Sequence, residues 1–199
     1  MRKRLQDLSR DDWNTLFPIE LVDHNPDWKN IFEKEKRKIL SEVGKDIVLR
    51  IEHFGSSAIP AIKSKPYIDI LIEIPNDLLF DDRVIVKFEA VGYTHFKVPE
   101  RDNIDAYMSF GKGYNLEGKK EQIFHIHMCP KDNYMWNQIA FRDYLNENHA
   151  KAKEYEALKL KLAAKHKNDR GAYVLGKTNF VKETVEMIAE MNSSKGDKE

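Results

Sequence analysis

The sequence predicts one α+β domain with a helical C-terminal part. Alternating apolar residues mark strands between residues 47 and 128, helical periodicity lies before and between those strands, and only charged amphipathic segments follow Trp136. With 199 residues the chain can bury a substantial core. We divide it into an N-terminal extension (1–18), a single domain (19–191) and a frayed polar tail (192–199).

The first predicted elements are a helix and a strand. Asn25 and Pro26 form a favourable helix start and Gly44 a favourable helix end, with apolar residues at helical spacing between them. From Ile47 to Phe54 the apolar residues alternate, which predicts a strand. His53 stands at the end of the row that this strand buries.

The second predicted strand carries four isoleucines on one face, so that face must meet a core. The residues on its other face are Tyr67, Asp69, Leu71 and Glu73. A helix from about Arg83 to Ala90 ends before Gly92, and 105–110 and 122–128 predict a hairpin. Three helical segments complete the chain, and we expect them to pack over the sheet.

Composition and charge exclude several classes of protein. The 33 basic and 33 acidic residues balance, which argues against a general attraction to nucleic acid or anionic membranes. The single Cys129 cannot form an internal disulfide, and no apolar run approaches ~20 residues. Residues 1–10 lack the apolar core of a signal peptide. We expect a cytoplasmic protein without a membrane partner, and these features leave its oligomeric state open.

A small turn, Gly55-Ser56-Ser57, follows the first strand. A glycine allows a phosphate to approach the main chain, and the two serine hydroxyls can donate hydrogen bonds to phosphate oxygens. An ordinary strand-ending turn is the alternative interpretation. Asp69 lies 13 positions after Ser56 on the next strand, and this combination favours a phosphate and metal site.

Asp69 is an unusual residue for a strand interior. Aspartate is unfavourable there, and an ionised carboxylate among isoleucines needs a partner. We interpret Asp69 as a metal ligand; the alternative is an aspartate that faces solvent or pairs with a lysine. The position of a second carboxylate is occupied by Leu71, and Glu73 lies roughly 13 Å from Asp69 at ~3.3 Å per residue.

His125 and His127 fall on one face of a predicted strand, close enough to share a metal ion or a phosphate. Paired histidines on a sheet face can also be purely structural. If their strand lies beside that of Asp69, the three side chains form one cluster. We predict these three as catalytic and metal-binding residues, with Glu52 and His53 in support; His53 is either a packed, hydrogen-bonded residue or a ligand.

Four cations can complete a phosphate site. Lys65 ends the loop that begins at Gly55, and Arg142 can bind a phosphate bidentately. Lys159 and Lys177 lie on predicted helices and can line an anion pocket. The alternative is a solvated surface, with Arg142 and Asp143 forming a surface ion pair.

Read in order, these motifs resemble the GrpB family of bacterial proteins, over about residues 19–188. The motifs are Ile19-Glu20-Leu21-Val22, Pro26-x-Trp28, Ile51-Glu52-His53-Phe54-Gly55-Ser56-Ser57-Ala58-Ile59-Pro60, Lys65-Pro66-x-Ile68-Asp69-Ile70, Phe124-His125-Ile126-His127, Phe141-Arg142-Asp143-Tyr144-Leu145, Tyr155-x-x-Leu158-Lys159 and Tyr173-x-x-x-Lys177.

The resemblance implies a nucleotidyltransferase-like mixed β-sheet flanked by helices. In some bacteria a similar domain is joined to dephospho-CoA kinase, which points to nucleotide or coenzyme A metabolism. The departure from an active nucleotidyltransferase pattern is Leu71 in place of the second acid. One aspartate with two imidazoles is a poor set for Mg²⁺ and suits Zn²⁺ or Mn²⁺ better, so the cofactor expected is one of these divalent metals.

Three hypotheses follow. The first is a nucleotidyl or phosphoryl transferase acting on a nucleotide or another phosphate-containing small molecule. The second is an accessory domain that binds a nucleotide or coenzyme A and has lost two-metal catalysis. The third is an interaction protein whose lysine-rich helices contact a partner.

Overall fold

A computed structural model describes residues 4–98, 105–117 and 119–196 of the chain. The helices and strands in this part are α1 (Arg10–Leu16), α2 (Trp28–Val43), β1 (Arg50–Phe54), β2 (Tyr67–Glu73), α3 (Asp82–Ala90), β3 (Thr94–Phe96), β4 (Met108–Lys112), β5 (Ile123–Cys129), α4 (Asn137–Glu147), α5 (His149–Lys165) and α6 (Arg170–Gly196).

The strands form one mixed sheet in the order β1-β2-β5-β4-β3. Strands β2 and β5 are parallel, and the other neighbouring pairs are antiparallel. This arrangement confirms the predicted α+β class and the hairpin of β4 and β5. It also places two strands that are distant in sequence side by side at the centre of the sheet, which decides the geometry of the site.

One face of the sheet packs on α2 and α3. Ile68, Ile70 and Ile72 of β2 are completely buried, as their alternation predicts. Phe32 of α2 and Phe88 of α3 belong to the same cluster. Each buried side chain of this size contributes about 1.5–3 kcal/mol relative to exposure, so this face holds the principal core.

The opposite face of the sheet is covered as well, by helix α4. Leu71 is completely buried there, in a cluster with Phe54, Cys129 and Ile139 of α4. Helices α5 and α6 in turn pack on α4. The expected covering of the sheet by the C-terminal helices is therefore seen directly for α4.

Two predicted boundaries differ from the structure. Helix α2 begins at Trp28 because Asn25 forms a turn first: its Oδ1 accepts a 3.0 Å hydrogen bond from the Asp27 N–H. The first strand begins at Arg50, since the chain before it is irregular and leaves Leu49 53% exposed.

The hairpin also starts later than the sequence predicts, at Met108, and the three-residue strand β3 was not predicted. A strand of three residues is too short for an alternating pattern to identify it. Its place in the sheet comes from antiparallel pairing with β4.

The N-terminal residues form a helix that packs against the sheet. Ser9 caps α1 reciprocally: its Oγ accepts from the Asp12 N–H at 3.1 Å, and the Asp12 carboxylate accepts from the Ser9 N–H at 2.9 Å. The rings of Trp13 and Phe17 then contact Tyr114, which follows β4, at centroid distances of 5.1 and 5.0 Å. The extension thus shares an aromatic cluster with the domain.

The expected polar tail begins at Asn192 on α6, which continues to Gly196. Residues 197–199 lie outside the described part of the chain, and the division into 1–18, 19–191 and 192–199 stays a prediction. No helix in the described ranges is both long and apolar enough to cross a membrane.

Candidate metal and phosphate site

Asp69, His125 and His127 converge on the face of the sheet that α4 covers. In the parallel pair, Asp69 lies opposite His125, and Leu71 lies opposite His127. One ligand atom from each of the three cluster residues lies within 4.8 Å of the others. His125 Nδ1 is 3.7 Å from Asp69 Oδ1, and the two imidazole centroids are 4.4 Å apart. The parallel pairing of β2 with β5 therefore meets the condition under which the three side chains were predicted to form one cluster.

Ser109 orients this cluster from strand β4. It lies opposite His127, and its Oγ is 3.1 Å from His125 Nε2. Hydrogen bonds to the second nitrogen of a histidine commonly fix the orientation of a metal-binding ring. Ser109 was not predicted from the sequence. The alternation of side chains along the predicted hairpin could have identified it, because it places Ser109 on the same face as His125 and His127.

His127 carries a polar atom without a partner. Its Nδ1 is buried and has no hydrogen bond to any described residue. Burial, reinforced by the neighbouring His125, lowers the pKa of His127 to about 3, so the ring is neutral and retains a nitrogen lone pair. A buried polar atom without a partner costs about 1–3 kcal/mol. This cost fits a site that a cation completes.

The Gly55 turn lies directly against Asp69. Gly55 has φ of 70° and ψ of −173°, a conformation that side chains rarely adopt. A Cβ at this position would lie 2.5 Å from Asp69 Oδ2. Ser56 and Ser57 continue the turn as a short 3-10 helix. Both the backbone angle and the contact with the carboxylate therefore require glycine here.

Substitution Gly55→Ala is expected to destabilise the fold by about 2–4 kcal/mol, because it adds backbone strain and a clash with Asp69. Gly92→Ala is the matched control: its φ is also positive, at 93°, but the nearest atom that an added Cβ would meet is Lys112 Cε at 3.9 Å. The control should lose only about 1–2 kcal/mol. Chemical denaturation measures the free energy of unfolding of both variants. Equal losses would contradict the close contact between position 55 and Asp69.

His53 supports the turn from the other side of the sheet. It lies opposite Ile70, its ring stacks on Phe32 at 4.9 Å, and its Nε2 is 3.0 Å from the Oγ of buried Ser57. Burial lowers the pKa of His53 to about 4, against the opposing charge of Asp69. The geometry matches the packed, hydrogen-bonded interpretation of His53.

Glu52 and Arg142 join strand β1 to helix α4. Arg142 Nη1 donates to Glu52 Oε2 at 3.1 Å and to the His53 carbonyl at 2.6 Å, while its Nε donates to Asp143 at 2.7 Å. Much of the guanidinium is thus engaged in holding α4. The structure places Arg142 beside the site as a structural link, and the predicted pairing with Asp143 is present.

Leu71 occupies the place of a second acid for a packing reason. It stands between Glu52 on one neighbouring strand and His127 on the other, and its side chain is buried among apolar residues. Burial, with the charges of Asp105 and Glu73, also raises the pKa of nearby Cys129 to about 12. The surroundings of position 71 therefore disfavour negative charge.

Four cations form a group beside Asp69, which we call the cation group: Lys65, Lys159, Lys177 and Arg170. Lys65 Nζ lies 4.6 Å from the Tyr67 ring centroid, and Arg170 Cζ lies 5.8 Å from the same centroid. Lys159 is 1% exposed and donates a hydrogen bond to the Lys63 carbonyl. Within the described residues, no carboxylate oxygen lies within 4.0 Å of a nitrogen of these four side chains.

The cations act on one another and on Asp69. Burial, reinforced by repulsion from Arg170 and Lys177, lowers the pKa of Lys65 to about 7. Burial and Lys177 also lower the pKa of Lys159 to about 7. Burial raises the pKa of Asp69, but His125 and Lys65 outweigh it, so this pKa lies below its usual value. Clustered cations with no carboxylate in direct ion-pair contact among the described residues are suited to bind an anion.

A distant solved structure has a similar fold. The Cid1 poly(U) polymerase with bound Mg 3′-dATP superposes with a TM-score of 0.50 at 14% identity, over 78% of this chain and 49% of that chain. This likeness concerns the fold alone. The mixed sheet flanked by helices is nucleotidyltransferase-like, as the sequence resemblance implied.

Closer relatives cover more than four fifths of the chain. The glutamate-rich protein GrpB of Alkalihalophilus pseudofirmus is 39% identical over 167 residues, 83% of this chain and 92% of that protein. YqkA of Bacillus subtilis is 33% identical over 82% of this chain, which corresponds to 45% of that protein. The crystal structure of GrpB from Enterococcus faecalis superposes with a TM-score of 0.71 at 26% identity, over 87% of this chain and 99% of that chain. Because the family model described as GrpB protein also matches residues 18–187, the chain belongs to the GrpB family.

Proposed function

We propose that the chain binds a nucleotide or another phosphate-containing small molecule and catalyses metal-dependent nucleotidyl or phosphoryl transfer. The observation that carries this proposal is the position of Asp69. It meets the histidine pair on one side and the Gly55 turn on another, and it interacts electrostatically with Lys65. A metal-binding cluster and an anion-binding group thus share one carboxylate.

The side chains at the cluster fit a divalent transition metal. Asp69, His125 and His127 offer one carboxylate and two imidazoles, a set that suits Zn²⁺ or Mn²⁺ better than Mg²⁺. Three protein ligands leave room for a further ligand, as in catalytic zinc sites. A bound metal would supply positive charge that polarises a phosphate oxygen.

The residues of the chain would hold and neutralise the phosphates. The Gly55 turn allows close approach of the backbone, and the cation group balances charge on phosphate oxygens. Lys65 and Lys159 have pKa values of about 7, so an arriving anion would favour their charged forms. Since the neighbour Cid1 binds Mg 3′-dATP, nucleoside triphosphates are the first ligands to test.

The buried Leu71 favours a second candidate function. A two-metal mechanism needs further anionic oxygens near Asp69, and position 71 lies in an apolar cluster instead. The chain would then bind a nucleotide or coenzyme A without turnover. The two histidines favour the first candidate, because binding alone requires no pair of imidazoles beside the carboxylate.

A turnover assay distinguishes the two functions. Metal-free protein is supplied with Mn²⁺, Zn²⁺ or Mg²⁺ and mixed nucleoside triphosphates, and the release of pyrophosphate and phosphate is followed. We expect release with Mn²⁺ or Zn²⁺, its loss in Asp69→Asn, and its retention in Lys182→Ala, which removes an exposed lysine of α6. Binding without release in every metal would contradict transfer and favour the second candidate, and absence of binding would contradict both.

A further inference from the structure

Arg170 is a member of the cation group that sequence reasoning missed. It is the first residue of α6, and its guanidinium shares the Tyr67 ring with the Lys65 ammonium. Two cations on one ring repel each other, and this repulsion acts on Lys65. Such an arrangement needs contacts that hold Arg170 in place.

The N-terminal segment supplies those contacts. Arg170 Nη1 donates to the Phe17 carbonyl at 2.8 Å and is 3.5 Å from the Tyr67 hydroxyl. The Arg170 backbone N–H donates to Oδ1 of Asn14 at 3.2 Å, and Asn14 is only 9% exposed. Both contact residues precede residue 18, where the family match begins.

A continuous set of rings connects α1 to the cation group. Trp13 contacts Tyr114 at 5.1 Å, and Tyr114 contacts Tyr67 at 6.2 Å. Phe17 is 8% exposed and lies in the same cluster. Ring contacts with Tyr114 therefore hold helix α1 in place next to Lys65 and Arg170.

We propose that Asn14 and Phe17, which lie outside the matched family region, form part of the phosphate site by positioning Arg170 to bind the same anion as Lys65. This inference rests on the proposed function. Arg170 has five N–H donors, so its contacts with the Phe17 carbonyl and the hydroxyls of Tyr67 and Tyr114 leave donors for a phosphate. A fourth cation favours a ligand with more than one phosphate group, because each added phosphate brings further negative charge to the group.

Titration of inorganic pyrophosphate and orthophosphate by calorimetry tests the positioning role. Arg170→Ala is expected to weaken pyrophosphate binding about tenfold or more, the usual effect of losing a charge-assisted hydrogen bond, and orthophosphate binding less. Arg170→Lys should recover part of the loss. Asn14→Ala removes only the hydrogen bond that the Arg170 backbone N–H donates to the Asn14 side chain, so it should weaken pyrophosphate binding by a smaller factor.

Arg10→Ala provides the matched control. Arg10 pairs with Asp169 at 2.5 Å at the same junction of α1 and α6, but both side chains are well exposed. The control should keep the wild-type affinity, and thermal unfolding shows whether any variant has lost its fold.

Each outcome decides one question. Unchanged pyrophosphate affinity in Arg170→Ala, with a clear loss in Lys65→Met, would overturn the role of Arg170 and leave the phosphate site in place. An equal loss in Arg10→Ala, which leaves both contacts to Arg170 in place, would overturn the positioning role of Asn14 and Phe17. If the wild-type protein does not bind pyrophosphate, the proposed phosphate site and this inference are both wrong.

Discussion

The Asp69→Asn variant is expected to bind Zn²⁺ or Mn²⁺ on the order of a hundredfold more weakly than the wild-type protein, or worse. Asp69 is the carboxylate of the cluster, and the other two members are histidines. Asparagine has nearly the same shape but removes the negative charge and one acceptor. Competition with a coloured chelator on metal-free protein measures the affinity.

Two neighbouring positions provide controls for this prediction. Glu73→Gln removes a carboxylate from the same strand and the same face of the sheet as Asp69. Because Glu73 lies opposite Cys129, away from the cluster, metal affinity should not change. Ser109→Ala removes the hydrogen bond to His125 and should weaken binding about tenfold. If Asp69→Asn binds metal as tightly as the wild type, these residues do not form a metal site.

Much of this cluster follows from local sequence patterns. Alternation on β2 assigns Asp69 and Leu71 to the same face, and the His-x-His spacing on β5 does the same for its two histidines. Side chains that face opposite ways on a strand cannot be exchanged without shifting the register, so these assignments are strongly constrained.

The pairing of β2 with β5 could not be predicted from such patterns. Parallel strands come together through a long connection, here residues 74–122, and no local signal sets their register. The resemblance to a known family supplied the fold in which they are neighbours. Arg170 was missed for the same reason, since its role depends on contacts between distant segments.

Arg142, by contrast, was predicted from the sequence, but its contacts with strand β1 could not be. A conspicuous arginine at the start of the helical part has the right chemistry for a phosphate, and a sequence motif draws attention to it. In the structure its donors are directed to Glu52, to Asp143 and to a backbone carbonyl. Chemical type alone cannot distinguish an anion-binding arginine from one that links a helix to a strand.

Replacement of Leu71 by aspartate is expected to destabilise the metal-free protein by more than about 5 kcal/mol. Loss of a buried leucine costs about 2–5 kcal/mol, and burying an uncompensated carboxylate adds several more. Leu71→Ala separates the two contributions, because it creates the cavity without the charge. Unfolding in denaturant, with both variants free of metal, measures the difference.

The same variant also tests why the wild-type site lacks a second acid. Position 71 lies opposite His127, so the new carboxylate would stand beside the metal cluster and increase its preference for Mg²⁺. A metal that binds only the folded state stabilises it by about 2.7 kcal/mol at a hundred times its Kd. Added Mg²⁺ should therefore restore part of the stability of Leu71→Asp and none of that of Leu71→Ala. Equal responses of the two variants to Mg²⁺ would mean that a carboxylate at position 71 does not reach the cluster, and the apolar packing of Leu71 would then have no connection with the choice of metal.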